Sequence, residues 1–267
     1  MRNSYREMYF RLGYSAKWYN KNTVTSTAAA TLDINVAEGA TNSYGAGTAA
    51  NSGVITGAIS LKKSGLGTQT LGDTNTYTGT TTVDAGKLVI NGSISTSTTT
   101  VNSTGTLAGS GTVGAVTVKS GGFIAPGNSP GILNTGNITL EAGSTLGIEI
   151  DGATVGTQYD RLNVTGSVSL AGLLSMTMSG SYAPANGTLF FILANDGTDA
   201  ITGTFSNASV NGGTYTFGSQ QFQISYAGNT GTSSFTGGND IVLQAVPEPA
   251  SLLLGAVTIL TLLRRRR

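Results

Sequence analysis

Three groups of residues in this sequence have types and spacings that could do chemistry. Gly127-Asn128-Ser129-Pro130-Gly131 has the Gly-x-Ser-x-Gly spacing of a nucleophile elbow, in which a serine hydroxyl is exposed on a sharp turn and a histidine takes its proton. The chain contains no His, and Pro130 has no N–H where the oxyanion donor should sit, so a plain turn is expected here. Gly109-Ser110-Gly111-Thr112-Val113-Gly114 has the Gly-x-Gly-x-x-Gly spacing of a phosphate cradle. That cradle needs a helix after it, and Val116-Thr117-Val118 reads as a strand instead. Glu149, Asp151, Asp160 and Arg161 form the densest charged group. Grouped acids and a cation could cleave an acidic polysaccharide, and Glu149 and Asp151 on one face could hold a hard cation such as calcium. A solvated strand face is the plainer reading and the one expected. The calcium-binding nonapeptide repeat is absent; Gly237-Gly238-Asn239-Asp240 occurs once. The expectation is therefore no catalytic residue, no metal, no cofactor and no enzymatic activity, with a polysaccharide-active enzyme as the alternative.

Composition narrows the elements that could position any such site. The chain has 267 residues, 39 of them Gly, with no Cys and only 10 % charged residues. A disulfide framework and thiolate metal sites are excluded. Glycine and the abundant threonine form helices poorly, and threonine favours strands, so an all-β chain with many tight turns is expected. The net charge of +1 hides a division. Basic residues crowd the first 21 positions and the last four, while the stretch 22–263 carries five basic and twelve acidic residues. A nucleic-acid footprint is absent, and no nucleic-acid partner is expected.

From about residue 54 a simple grammar repeats: an apolar β-run, a glycine turn, another apolar position. Gly86, Gly105, Gly121 and Gly143 anchor successive copies at spacings of 19, 16 and 22 residues. A loose period near 20 with strands in each copy predicts a β-solenoid. Leu88 and Ile90, like Leu146, Ile148 and Ile150, alternate with residues expected to face outward: Lys87, Val89 and Asn91, and Gly147, Glu149 and Asp151. Antiparallel hairpins would use the same turns, so a sandwich stays open. Leu189–Ala194 reads as a strand buried on both faces, and Phe222, Ile224 and Tyr226 alternate with polar residues. Residues 181–246 are thus expected to be a β cap.

Lys63, Gly65, Gly67, Leu71, Asn75, Tyr77, Gly79, Gly86 and Leu88 stand in the order and spacing of the autotransporter-associated β-strand repeat, which the segment 61–88 resembles. The resemblance implies a right-handed parallel β-helix at an exported cell surface. No translocating β-barrel follows the repeat, which leads to the expectation that secretion does not use a barrel of the chain's own.

The C-terminus suggests how export would work instead. Ala250–Leu263 is uncharged over 14 residues, about 21 Å as a helix against a hydrocarbon core of about 30 Å. Leu252, Leu253, Leu254, Val257, Ile259, Leu260, Leu262 and Leu263 would form its membrane face. Arg264, Arg265, Arg266 and Arg267 would be its cytoplasmic anchor. With Pro247, Glu248 and Pro249 ahead of it, this tail resembles the PEP-CTERM sorting signal of Gram-negative bacteria. The resemblance implies export, transient membrane anchoring, and processing by an exosortase, a membrane transpeptidase. The N-terminus has no apolar run of signal-peptide length; it reads either as a short ordered cap or as a start downstream of the true signal.

The expected protein is all-β: a right-handed parallel β-helix (β-solenoid) over 25–180, an aromatic and basic segment 1–24, a C-terminal β cap over 181–246, and one short hydrophobic helix within a sorting signal 247–267. It is expected to be a non-enzymatic structural or adhesive protein of the cell surface or extracellular matrix. Its expected partners are an exosortase-type membrane transpeptidase, the membrane and extracellular polysaccharide. A fragment of an autotransporter-like passenger is a further alternative.

Overall fold

Strands mostly of two to six residues, rich in Thr, Val and Ile and cut by glycine turns, cannot close a sheet within one copy of the repeat. They pair instead with the same strand of the next copy. The computed structural model describes residues 17–19, 23–45, 53–178, 182–217 and 220–247. Among them every regular element is a strand, and the strands form three sheets of ten, seven and eight members.

The chain visits the three sheets in turn. One circuit runs through Thr99–Val101 in the first sheet, Gly105–Gly109 in the second and Thr112–Val113 in the third. The next runs through Val116–Val118, Phe123–Pro126 and Ile132–Thr135, and the one after through Ile138–Leu140, Thr145–Ile150 and Arg161–Val164. Pairing between circuits is parallel and in register. In the first sheet Leu61 lies beside Thr81, then Thr99, Val116, Ile138 and Val168. In the second, Gln69 lies beside Leu88, then Leu107, Ile124, Leu146 and Leu174. These are the features of a β-solenoid, with coils about 4.8 Å apart. Parallel pairing excludes the sandwich of hairpins.

The inward residues stack like on like. Leu88, Leu107, Ile124 and Leu146 are all fully buried, as are Val83, Val101 and Val118. Each such side chain contributes about 1.5–3 kcal/mol by leaving water. Ile90, Ile148 and Ile150 point inward as their alternation predicted. Val89, expected on the outer face, is covered as well, because Thr70 and Ala108 flank it in the sheet.

The third sheet changes character at its C-terminal end. Leu189–Asn195 joins Arg161–Val164 in parallel, with Phe190 to Leu193 buried as a two-faced strand should be. Its other edge takes Asp240–Val246 antiparallel, followed by Gln220–Gly228 and Thr214–Phe217. Edge-to-face rings, Tyr159 on Phe190 and Phe190 on Phe222, fill the core there.

Of the expected tail, Pro247 is described and exposed. Glu248, Pro249, the run from Leu252 to Leu263 and Arg264–Arg267 lie outside the described residues. The expected short helix lies there too; among the described residues no helix is long and apolar enough to cross a membrane. Most of the aromatic and basic N-terminal segment is likewise outside, apart from Lys17–Tyr19, which pairs antiparallel with Thr23–Thr25.

Candidate functional site

Two constellations of polar residues emerge from the stacking, one inside the solenoid and one on its surface. The interior one uses the residues of the repeat motif. Lys63 stands in a column of aliphatic residues, between Ile34 and Val83, and is fully buried. Its ammonium donates to the carbonyls of Ser64, Gly65 and Ala85 at 2.8, 2.8 and 3.1 Å. Burial pulls its pKa down, and the charge of Asp33 opposes this. Asn75, also buried, accepts the Ile55 N–H and donates to the carbonyl of Asp73. The buried Tyr77 hydroxyl meets Thr81 at 2.6 Å, and Thr81 meets Ser97 at 2.8 Å. Burial pushes the Tyr77 hydroxyl up to about 12, so it stays protonated and neutral. These residues tie one coil to the next.

The surface constellation is a shallow cleft on the outer face of the second sheet. Its floor is Phe123, Gly147 and Ser175, and its walls include Lys87, Ser129, Glu149 and Asp160. Gly147 is needed where the phenyl ring lies across it, since a Cβ would come 2.4 Å from Phe123 Cζ. The turn 127–131 leaves strand Phe123–Pro126, and its Ser129 has a left-handed φ of 74°. Glu149 points outward from the neighbouring strand Thr145–Ile150 of the next coil. Stacking brings them together: the Ser129 hydroxyl donates to Glu149 Oε2 at 2.5 Å.

Asp160 fixes both partners. It ends the insertion between Thr145–Ile150 and Arg161–Val164 and is 4 % exposed. Its Oδ1 accepts the Gly131 N–H at 2.7 Å and its Oδ2 accepts the Glu149 N–H at 2.9 Å. Burial pushes this carboxyl up to about 6; the two N–H donors pull it down, and the charges of Glu149 and Asp151 push it up further. Chemically, the cleft offers a hydroxyl aimed at a carboxylate base, with a second carboxylate positioning the backbone of both. Pro130 still denies it the usual oxyanion donor.

The structure thus joins two features that the sequence presented separately. Ser129 comes from the rejected elbow and Glu149 and Asp160 from the charged group. Asp151 and Arg161 do not line the cleft. Gly109–Gly114 leads into strands, as expected, with no helix after it. Among the described residues no group of three or more His, Cys, Asp or Glu could hold a metal.

Residues 61–90 match the Passenger-associated-transport-repeat family. Over these 30 residues the chain is similar to autotransporter passengers. This passenger repeat encloses Lys63, Asn75, Tyr77 and Gly79, the residues that tie its coils together. Beyond it, 137 residues are 41 % identical to the adhesin BmaC autotransporter of Brucella suis biovar 1 (strain 1330), covering 48 % of this chain and 4 % of that protein. A stretch of 161 residues is 34 % identical to an extracellular serine protease of Serratia marcescens, covering 58 % of this chain and 15 % of that protein. The chain spans a small fraction of either relative's length.

These similarities correct several expectations. The reading of Pro247–Arg267 as a PEP-CTERM signal, with an exosortase partner and a transmembrane helix, is not supported: the passenger repeat at 61–90 and the likeness to an adhesin autotransporter point to autotransporter passengers instead. A short apolar run before arginines is a composition that unrelated chains share, whereas an ordered glycine, lysine and tyrosine pattern over 30 residues is constrained by coil stacking. The expectation of a non-enzymatic structural protein is overturned as well, by the similarity to a serine protease. The missing histidine excludes one base and leaves carboxylate bases such as Glu149 open.

Proposed function

We propose that this chain is a segment of an exported, autotransporter-passenger-like protein whose solenoid stands at the cell surface or in the medium. The passenger repeat at 61–90 carries this reading. Its buried polar residues serve coil-to-coil cohesion, which suits a chain that must stack without chaperoning disulfides. A right-handed winding, a solenoid over 25–180 and a closing β region over 181–246 belong to the same proposal. The test is antibody labelling of intact cells of the source organism against permeabilised ones, with a parallel assay of the medium. Signal on intact cells or in the medium is expected. Signal seen only after permeabilisation overturns it.

The second reading is a role in extracellular proteolysis, which the serine protease relative and the Ser129–Glu149 contact favour together. In that reading Ser129 is the nucleophile, Glu149 the base and Asp160 the positioning residue. Peptide hydrolysis by the purified chain should fall by about 100-fold or more in Ser129→Ala. A wild-type chain that hydrolyses nothing above buffer, or a fully active Ser129→Ala, removes this reading and leaves the surface assignment standing.

A further inference from the structure

We propose that the cleft over the second sheet takes an extended peptide, with a large apolar side chain, best an aromatic one, laid on the Phe123 ring and an acidic side chain against Lys87. The choice of a peptide rests on the proteolytic reading of Ser129 and Glu149; the two contacts rest on the register of the coils. Lys87 pairs with Thr106 and Thr106 with Phe123, so the lysine stands two coils before the ring. Phe123 pairs in turn with Thr145, and its ring crosses Gly147 of that next strand. Gly147 pairs with Ser175 one coil further on. The cleft therefore runs along the solenoid axis, across the strands. From Lys87 to Ser175 it spans four coil steps, about 19 Å, the reach of roughly six extended residues.

The lining decides what such a peptide must carry. Phe123 lines the cleft and keeps part of its surface in water. An apolar side chain laid on the ring removes water from both partners, and an aromatic one adds ring-to-ring attraction. Lys87 is exposed, and the ion pairs among the described residues, Lys62–Asp84 and Lys119–Glu141, leave it out. Its charge is therefore open to a carboxylate of the ligand. Glu149 lies in the strand of Gly147, one coil past Phe123, and repels a carboxylate there. The acidic residue thus belongs at the Lys87 end. Gly147 is three coil steps from Lys87, about 14 Å. The lysine stem and the acid's own side chain each cover part of that distance. What remains places the acid two residues from the aromatic one, on the same side of an extended chain.

The experiment is fluorescence anisotropy of the full chain with labelled, end-blocked hexapeptides: Ala-Ala-Phe-Ala-Asp-Ala, and the versions with Ser for Phe and Lys for Asp. Binding should weaken about tenfold without the Phe, and about threefold with Lys for Asp, as an exposed ion pair allows. Phe123→Ala should erase the first difference and Lys87→Gln the second. Raising salt to about 0.5 M should erase only the second. Lys87 is exposed, so Lys87→Gln leaves the core intact should Phe123→Ala fail to fold. Equal binding of the three peptides, no saturable binding up to about 1 mM, or differences that survive the substitutions overturn the proposal. Cleavage of the same peptides, followed in parallel, tests the proteolytic reading separately. Selective binding without cleavage removes that reading and supports this one; cleavage without selectivity does the reverse.

Discussion

The Lys63 ammonium donates to the carbonyl of Ala85, a residue one coil further along the solenoid, at 3.1 Å. A charge in an aliphatic column is costly unless its donors are satisfied, and three carbonyls satisfy this one. Replacement by Met keeps the stem and removes the donors, leaving those carbonyls without their partner. Lys63→Met should therefore unfold at lower denaturant concentration, by about 1–3 kcal/mol. Urea titration followed by circular dichroism checks this. An unchanged or higher midpoint would mean that the column prefers an apolar residue.

Tyr77 makes a narrower test because its ring and its hydroxyl can be separated. Tyr77→Phe keeps the buried ring and deletes the bond to Thr81, while Thr81 retains Ser97. A loss of about 1 kcal/mol is expected, against about 3–5 kcal/mol for Tyr77→Ala, where a cavity also opens. The two midpoints should separate clearly in the same titration.

Gly79 ends the Asn-x-Tyr-x-Gly stretch, and its N–H bonds to the Ile59 carbonyl of the preceding coil at 3.0 Å. A Cβ there would lie 2.4 Å from that same oxygen. Backbone must shift to admit any side chain, so Gly79→Ala should cost about 2 kcal/mol or more. Hydrogen exchange should report it locally, by faster exchange at Leu61 and Gly79 than in the later coils.

The Asp160 carboxyl gives a pH signature. Its pKa is raised in the folded state, from 3.8 to about 6, so between those values the folded chain holds more protons than the unfolded one. Stability from this group is fully present below about 3.8 and is lost as pH rises through about 6. The swing is at most about 3 kcal/mol. Asp160→Asn should flatten the dependence over that window. Matched denaturation curves at pH 4.5 and pH 7 that differ equally for both proteins would count against it.

Much of the solenoid was legible in the sequence because period-two alternation and glycine spacing are local. Leu88, Ile90, Leu146 and Ile148 could be placed inward from their neighbours alone. The cleft was not legible in the same way. Ser129 and Glu149 stand 20 residues apart and meet only because adjacent coils stack in register. The charged group named Asp151 and Arg161 as well, yet neither lines the cleft. Lys63 was visible as a motif position but its burial was not, since the carbonyls that accept from it come from turns whose shape no pattern of apolar residues announces.

The reversal of direction at Asp240–Val246 bears on how this chain could meet its own copies. A parallel stack offers an open template at each end, and an added strand there would extend the fibre indefinitely. In the third sheet the strand beyond Leu189–Asn195 runs the opposite way, and among the described residues Thr214–Phe217 is the outermost strand. A second molecule arriving with a coil in the parallel sense would find its three strands matched to edges of unlike polarity. The antiparallel strands therefore act as a terminator of head-to-tail polymerisation at this end.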